Sequence, residues 1–171
     1  MLRWFLRRQL DAAERRLGAP LDYAREMLAG SPGLLLRFFA GTALLARRRR
    51  APRDAWHVAA LVATRHEDCG TCVQIGVNLA RKDGVPVEVL RAVLDGAPER
   101  LPAPLAEAFH FASGVCAGDG SEAPWRAALL ARHGREALAE LSLVVATARV
   151  FPTVKRGMGH AVSCSAVPIS L

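Results

Sequence analysis

The 171 residues of the chain are 51% apolar and carry a formal charge of +7. That length and composition fit one globular domain with a real core and exclude an intrinsically disordered chain. The longest apolar run, Leu34 to Ala46, is too short to span a bilayer and has Arg37 in its middle. The N-terminus mixes Leu2, Trp4, Phe5 and Leu6 with Arg3, Arg7 and Arg8, without the separate apolar region and cleavage site of a signal peptide. The expectation is a cytoplasmic protein.

The charge is uneven along the chain. Residues 1–50 hold eleven arginines against four acids (Asp11, Glu14, Asp22 and Glu26), whereas residues 51–171 are neutral on balance. Arg47 to Arg50 could touch nucleic acid or an anionic membrane. No aromatic residues interleave with them, as single-strand binding would need. The favoured reading is a solvated helix end, where arginines complement the macrodipole.

In chain order, Leu6, Leu10, Ala13 and Leu17 recur at helical spacing, and Gly18 with Pro20 closes that helix. Residues 21–29 predict a short helix ended by Gly30. Ser31-Pro32 reads as an N-cap with proline at the first helical position, opening a third helix with Leu35, Phe38, Phe39, Thr42 and Leu45 on one stripe. Asp54 is expected to cap the next helix, residues 55–65, which is apolar nearly all round and so belongs in the middle of a bundle. His66-Glu67-Asp68 breaks it. Asp68 is then expected to cap a helix that carries Cys69 and Cys72 and runs to about Lys82. Pro86 opens a short helix, residues 96–104 form a turn-rich connector, and residues 105–117 are helical again. Two further helices are expected, one ending at Gly134 and one, residues 137–150, stopped by Pro152, with an irregular tail from Ala161. No alternating period suggests strands. The sequence predicts a single all-α domain of about eight or nine helices, with basic N-terminal helices (1–50), a core (51–115) and C-terminal helices (121–160).

Four cysteines in a cytoplasmic chain are not a disulfide framework. Cys116 reads as a small buried hydrophobe. Cys69 and Cys72 are paired by spacing. On a helix, the first of two such sulfurs meets the unpaired N–H groups of the opening turn, which favour a thiolate, and the second lies one turn on, close enough to close a disulfide. Gly70 would leave the approach to Cys69 open. Glu67 and Asp68 oppose a thiolate by charge, yet a carboxylate or histidine beside the thiol could also move the proton that peroxide reduction requires. Thioredoxin-type motifs share the spacing but follow a strand, and none precedes this one.

An apolar helix, a short break, Cys69-x-x-Cys72 opening the next helix, and then Gly84-Val85-Pro86 with a short amphipathic helix resemble the carboxymuconolactone decarboxylase and alkylhydroperoxidase D-like family over about residues 35–115. The stretch from Ala148 to Arg156 is similar to one branch of it. The resemblance implies an all-helical fold, assembly as a homo-oligomer, no cofactor, and thiol-dependent peroxidase or disulfide-reductase activity. The substrate would be a small hydroperoxide or disulfide, and a thiol reductant would restore the dithiol. Redox members of the family place a histidine four residues after the second cysteine and a glutamate twelve before the first. Those positions here are Gly76 and His57. Glu67, His66 or His57 is therefore expected to supply the base, with Cys69 as nucleophile and Cys72 as the resolving thiol.

Two other readings compete. Cys69 and Cys72 could join His160 and Cys164 in a structural zinc site. A non-catalytic oligomeric member of the same fold, binding partners through Arg47–Arg50, is the other. The decarboxylase branch ranks below both, because a paired thiol contributes nothing obvious to decarboxylation. The first helix could lie on a membrane surface, but a subunit interface is preferred.

Overall fold

Helix α1 (Leu2–Leu17) ends where Gly18 turns left-handed, with φ 68°. Helix α2 (Asp22–Gly30) runs directly into α3 (Pro32–Leu45), whose N-cap is Ser31, its hydroxyl accepting from Leu34 N–H at 3.3 Å. Then follow α4 (Arg53–His66), α5 (Gly70–Lys82), α6 (Val87–Asp95), a 3₁₀ turn (Pro98–Arg100), α7 (Ala103–Ala117) and α8 (Ala123–Gly157). The computed structural model describes residues 1–163 and 168–171, and the described chain is all-α, without a strand.

Helix α4 is the axis. Its Ala55, Val58, Ala59, Leu61, Val62 and Ala63 are buried around the whole circumference, and α5, α6, α7 and α8 pack against it. Each large aliphatic side chain so buried contributes about 1.5–3 kcal/mol. A second apolar cluster, with Leu6, Leu10, Leu21, Tyr23, Leu28 and Leu35 from residues 1–45, is laid over this core. Phe151, Val154 and Met158 of α8 join it. Phe38 meets Phe151 edge-on at 5.4 Å between ring centres. Between the two clusters lies a cavity, considered below.

Helix α8 departs from the sequence expectation of two helices. Gly134 does break the helical geometry (φ 79°, ψ 175°), as a glycine can, but the segments continue one into the other. Pro152 does not stop the second segment. It is buried within the helix, which continues to Gly157. Taken whole, α8 is long and apolar enough to cross a membrane by length and composition. Dividing it at Gly134 and Pro152 hides that property in the sequence. Here it packs against α4 and α7 and carries buried Glu140 and Lys155.

Glu140 fastens the arginine-rich loop. Its carboxylate, 8% exposed, accepts N–H bonds from Arg49 (3.0 Å), Arg50 (2.9 Å) and Ala51 (2.8 Å). The side chains of Arg47 to Arg50 remain exposed. Burial raises the pKa of Glu140, but the three N–H donors outweigh it and hold the carboxyl below its ordinary value. Glu140→Ala orphans those donors and is expected to cost about 2–4 kcal/mol, read from the denaturant midpoint at neutral pH. Because the folded pKa is depressed, this stabilisation is present above the unfolded carboxylate pKa of about 4.3 and is lost as pH falls through the folded value.

Candidate functional site

Cys69 occupies the N-cap position of α5 and Cys72 its first turn. Their sulfurs lie 2.34 Å apart, at disulfide distance, with Cα atoms 5.3 Å apart. The two sides of the pair differ. Cys69 is fully buried, whereas Cys72 is 8% exposed and lines the cavity. The expected opening beside Gly70 is closed, because its N–H donates to the Val162 carbonyl at 2.9 Å and the C-terminal segment crosses there. Gln74 holds the same segment through reciprocal bonds with the Ser170 backbone. Asp68 does not cap α5. It adopts φ 48° and accepts from the Ser163 hydroxyl at 2.8 Å, a partner nearly a hundred residues away.

The pair has a neighbour that local pattern does not show. Lys155 of α8 is buried, with Nζ donating to Thr71 Oγ1 between the two cysteines. Thr71 Oγ1 lies 3.7 Å from the Cys69 sulfur, within sulfur hydrogen-bond reach. The Lys155 ammonium sits 5.8 Å from the centre of the Tyr23 ring, a cation–π contact. Burial lowers the Lys155 pKa, a shift that the more distant Asp22 charge only partly offsets. Only two of the chain's 23 basic residues are lysines, Lys82 and Lys155. That is the one sequence signal that could have drawn attention to it, since lysine, unlike arginine, readily gives up its proton when buried.

The bases expected from sequence lie elsewhere. The Glu67 carboxylate is taken by Arg149 (2.7 Å) and Arg156 (3.2 Å), and Arg156 also donates to its carbonyl. Burial raises its pKa, but the two guanidiniums more than reverse that, leaving a fixed anion and a poor proton acceptor. His66 is exposed at the end of α4. His57 is buried and bonded through Nε2 to Asp83 at 2.9 Å, at the far end of α5 from the cysteines. Burial lowers its pKa, with Asp83 pulling the other way. Its partner Asp83 stands eleven residues past Cys72, about 16 Å along α5, so His57 is held toward the other end of that helix. Leu61 fills the space in front of Gly76, where an added Cβ would lie 2.8 Å from Leu61 Cδ2. Neither relay position of the resembling family carries a relay here.

Of the expected zinc set, one ligand is engaged elsewhere and one is not described. His160 Nε2 is engaged with Glu26 at 2.6 Å, and Cys164 lies outside the described residues. Among the described residues no group of three or more His, Cys, Asp or Glu side chains is placed to hold a metal. Cys116 is free and buried, as expected, and burial pushes its thiol pKa up.

Cys72 and Lys155 face a cavity of about 650 Å³, within the size range of small-molecule sites. Six helices line it, with Tyr23 from α2 and a stripe from each of the other five: Leu6, Leu10, Ala13 and Leu17 of α1, and Leu35, Phe39 and Thr42 of α3. Opposite them stand His57, Leu61 and Thr64 of α4, Cys72, Ile75 and Leu79 of α5, and Thr147, Phe151 and Lys155 of α8. The spacing within each stripe is helical, so the lining follows from the amphipathic faces of these helices.

Comparisons with protein-family models, with curated proteins and with solved structures return no match. Two sulfurs able to join, one of them open to an apolar cavity, with a deprotonatable lysine one hydroxyl away, can exchange electrons and protons at one place.

The assignment of Glu67 as a structural anion has its own test. Glu67→Gln is expected to cost about 1–3 kcal/mol at neutral pH, with Arg149 and Arg156 left without their counter-charge. The lowered folded pKa puts this stabilisation above the ordinary carboxylate range, and it fades as pH falls through the folded value. Urea melts of wild type and variant are thus expected to converge as pH falls below the folded Glu67 value. The position of any pH–rate profile stays unchanged, which would not hold if Glu67 were the base.

Proposed function

We propose that the chain is a thiol-dependent peroxidase or disulfide reductase that cycles Cys69 and Cys72 between disulfide and dithiol. The observation that carries this reading is the Cys69–Cys72 pair itself, of which Cys72 alone opens on the cavity. The resemblance to the alkylhydroperoxidase D-like family agrees with it. The geometry favours Cys72 as the attacking thiolate and Cys69 as the resolving thiol, the reverse of the order expected from sequence.

An external dithiol reduces the disulfide through a mixed disulfide, leaving two thiols and an oxidised reductant. The Cys72 thiolate attacks the distal oxygen of a hydroperoxide, the O–O bond breaks, and the leaving alkoxide takes a proton to become an alcohol. Cys72 is then a sulfenic acid. Cys69 attacks its sulfur, its proton passing through the Thr71 hydroxyl to Lys155 and on to the leaving hydroxide, so that water departs and the disulfide re-forms. Lys155 holds and returns the proton in both steps.

Peroxide consumption by the reduced protein with dithiothreitol as reductant tests the reading. Multiple turnovers above the reductant's own rate are expected. Folded, fully reduced protein that consumes no peroxide and reduces no small disulfide would remove it. That result would favour the non-catalytic reading, for which the blocked relay position at Gly76 speaks. The exposed Leu2, Trp4 and Phe5 of α1 and Leu44 and Leu45 of α3 offer apolar surface for the homo-oligomer that the same family resemblance implies.

A further inference from the structure

We infer that the cavity between the N-terminal helices and the α4, α5 and α8 core is a binding site for a long-chain aliphatic carboxylate, with its head group on Lys155 and its tail along the apolar wall. The inference goes beyond the redox reading and does not depend on turnover.

The wall is more apolar than its composition suggests. Thr42, Thr64 and Thr147 all line it, but each hydroxyl donates to a carbonyl in the preceding turn of its own helix, at 2.9, 2.8 and 2.7 Å. What these residues offer the cavity is chiefly their methyl groups. Along α1 the lining runs from Leu6 to Leu17, about 16 Å at helical rise, which makes the space long and suited to an extended chain.

The polar end is built differently. Lys155 is 5% exposed, and among the described residues no carboxylate lies within ion-pair distance of it. A buried ammonium without a counter-charge is costly, and an anion delivered by a ligand relieves that cost. Tyr23, 3% exposed, stands beside it, and its hydroxyl forms no hydrogen bond within the described chain. A carboxylate accepts from both. One lysine balances one negative charge, which suits a carboxylate better than a phosphomonoester, whose charge is about two. Arg16 also lines the cavity, but it is exposed and hydrated at the rim. A head group held there would leave Lys155 unpaired.

Binding of dodecanoate and of dodecanol to the oxidised, full-length protein, followed by titration calorimetry, tests the assignment. Wild type is expected to bind the acid saturably, with one site per chain, and at least tenfold more tightly than the alcohol. Lys155→Met, which replaces the charge by an apolar chain of similar length, is expected to abolish that preference while retaining the alcohol. Arg16→Gln is expected to keep it. Ala13→Phe, which fills the cavity from α1, is expected to weaken both ligands, with circular dichroism confirming that the variants fold. Equal affinity of wild type for acid and alcohol would overturn the proposal, as would no saturable binding. A preference lost in Arg16→Gln but kept in Lys155→Met would overturn it equally. Because the disulfide form is used, failure here leaves the redox cycle standing, and failure of peroxide turnover leaves this site standing.

Discussion

Cys72→Ser is expected to abolish peroxide consumption, lowering it by roughly a thousandfold or more, because among the described residues no other thiol faces the cavity. Cys69→Ser is expected to behave differently. Its Cys72 should still react once with peroxide and stop as a sulfenic acid, which a dimedone-type probe captures and mass spectrometry maps to residue 72. The asymmetry is the informative part. Two cysteines in a simple structural disulfide would give two equally inert variants, and an attacking Cys69 would place the trapped adduct in Cys72→Ser. The expected site of the adduct follows from burial, since Cys69 has no exposed surface and lies under the crossing of the C-terminal segment, with Gly70 tied to Val162.

Lys155→Met is expected to have the second-largest effect, a fall in turnover of about a hundredfold, the lower end of what a positioned acid–base group contributes. Methionine keeps the length and apolar stem, so the change removes the charge and the proton while preserving most of the packing. A purely structural lysine would leave the pH dependence of turnover in place. A proton-holding lysine takes with it the limb on which its protonation depends. Stability moves independently. Burial sets the folded Lys155 pKa below its ordinary value, so between the two values the unfolded chain binds more protons and stability rises with pH. Lys155→Met should flatten that rise, and denaturant melts across the alkaline range check it.

What was legible in the sequence was local. Gly18, Gly96 and Gly118 end their helices in the left-handed region, as glycines following periodic segments are expected to. Ser31 caps α3 through its own hydroxyl, three residues from its partner. The apolar circumference of α4 and the pairing of Cys69 with Cys72 also follow from neighbours along the chain. The readings that failed concern side chains whose partners lie far away. Asp68 looked like a cap until Ser163 met its carboxylate. Glu67 looked like a base until Arg149 and Arg156, more than eighty residues on, enclosed it. Lys155 and Thr71 are separated by 84 residues, and no spacing rule connects a lone lysine near the C-terminus to a helix start in mid-chain. Pro152 misled for a related reason: a helix wedged between other elements keeps its course through a proline that would end it in isolation.

The central claim concerns the two sulfurs, and thiol counting tests it most directly. Purified protein is alkylated under denaturing conditions before reduction, after reduction, and after reduction followed by one equivalent of hydrogen peroxide, and peptide mass spectrometry assigns each modified cysteine. The account predicts that Cys69 and Cys72 are protected at first, both labelled after reduction, and both protected again after peroxide, with Cys116 reduced throughout. Cys69 and Cys72 found labelled in the untreated protein, or still labelled after the peroxide step, would contradict it.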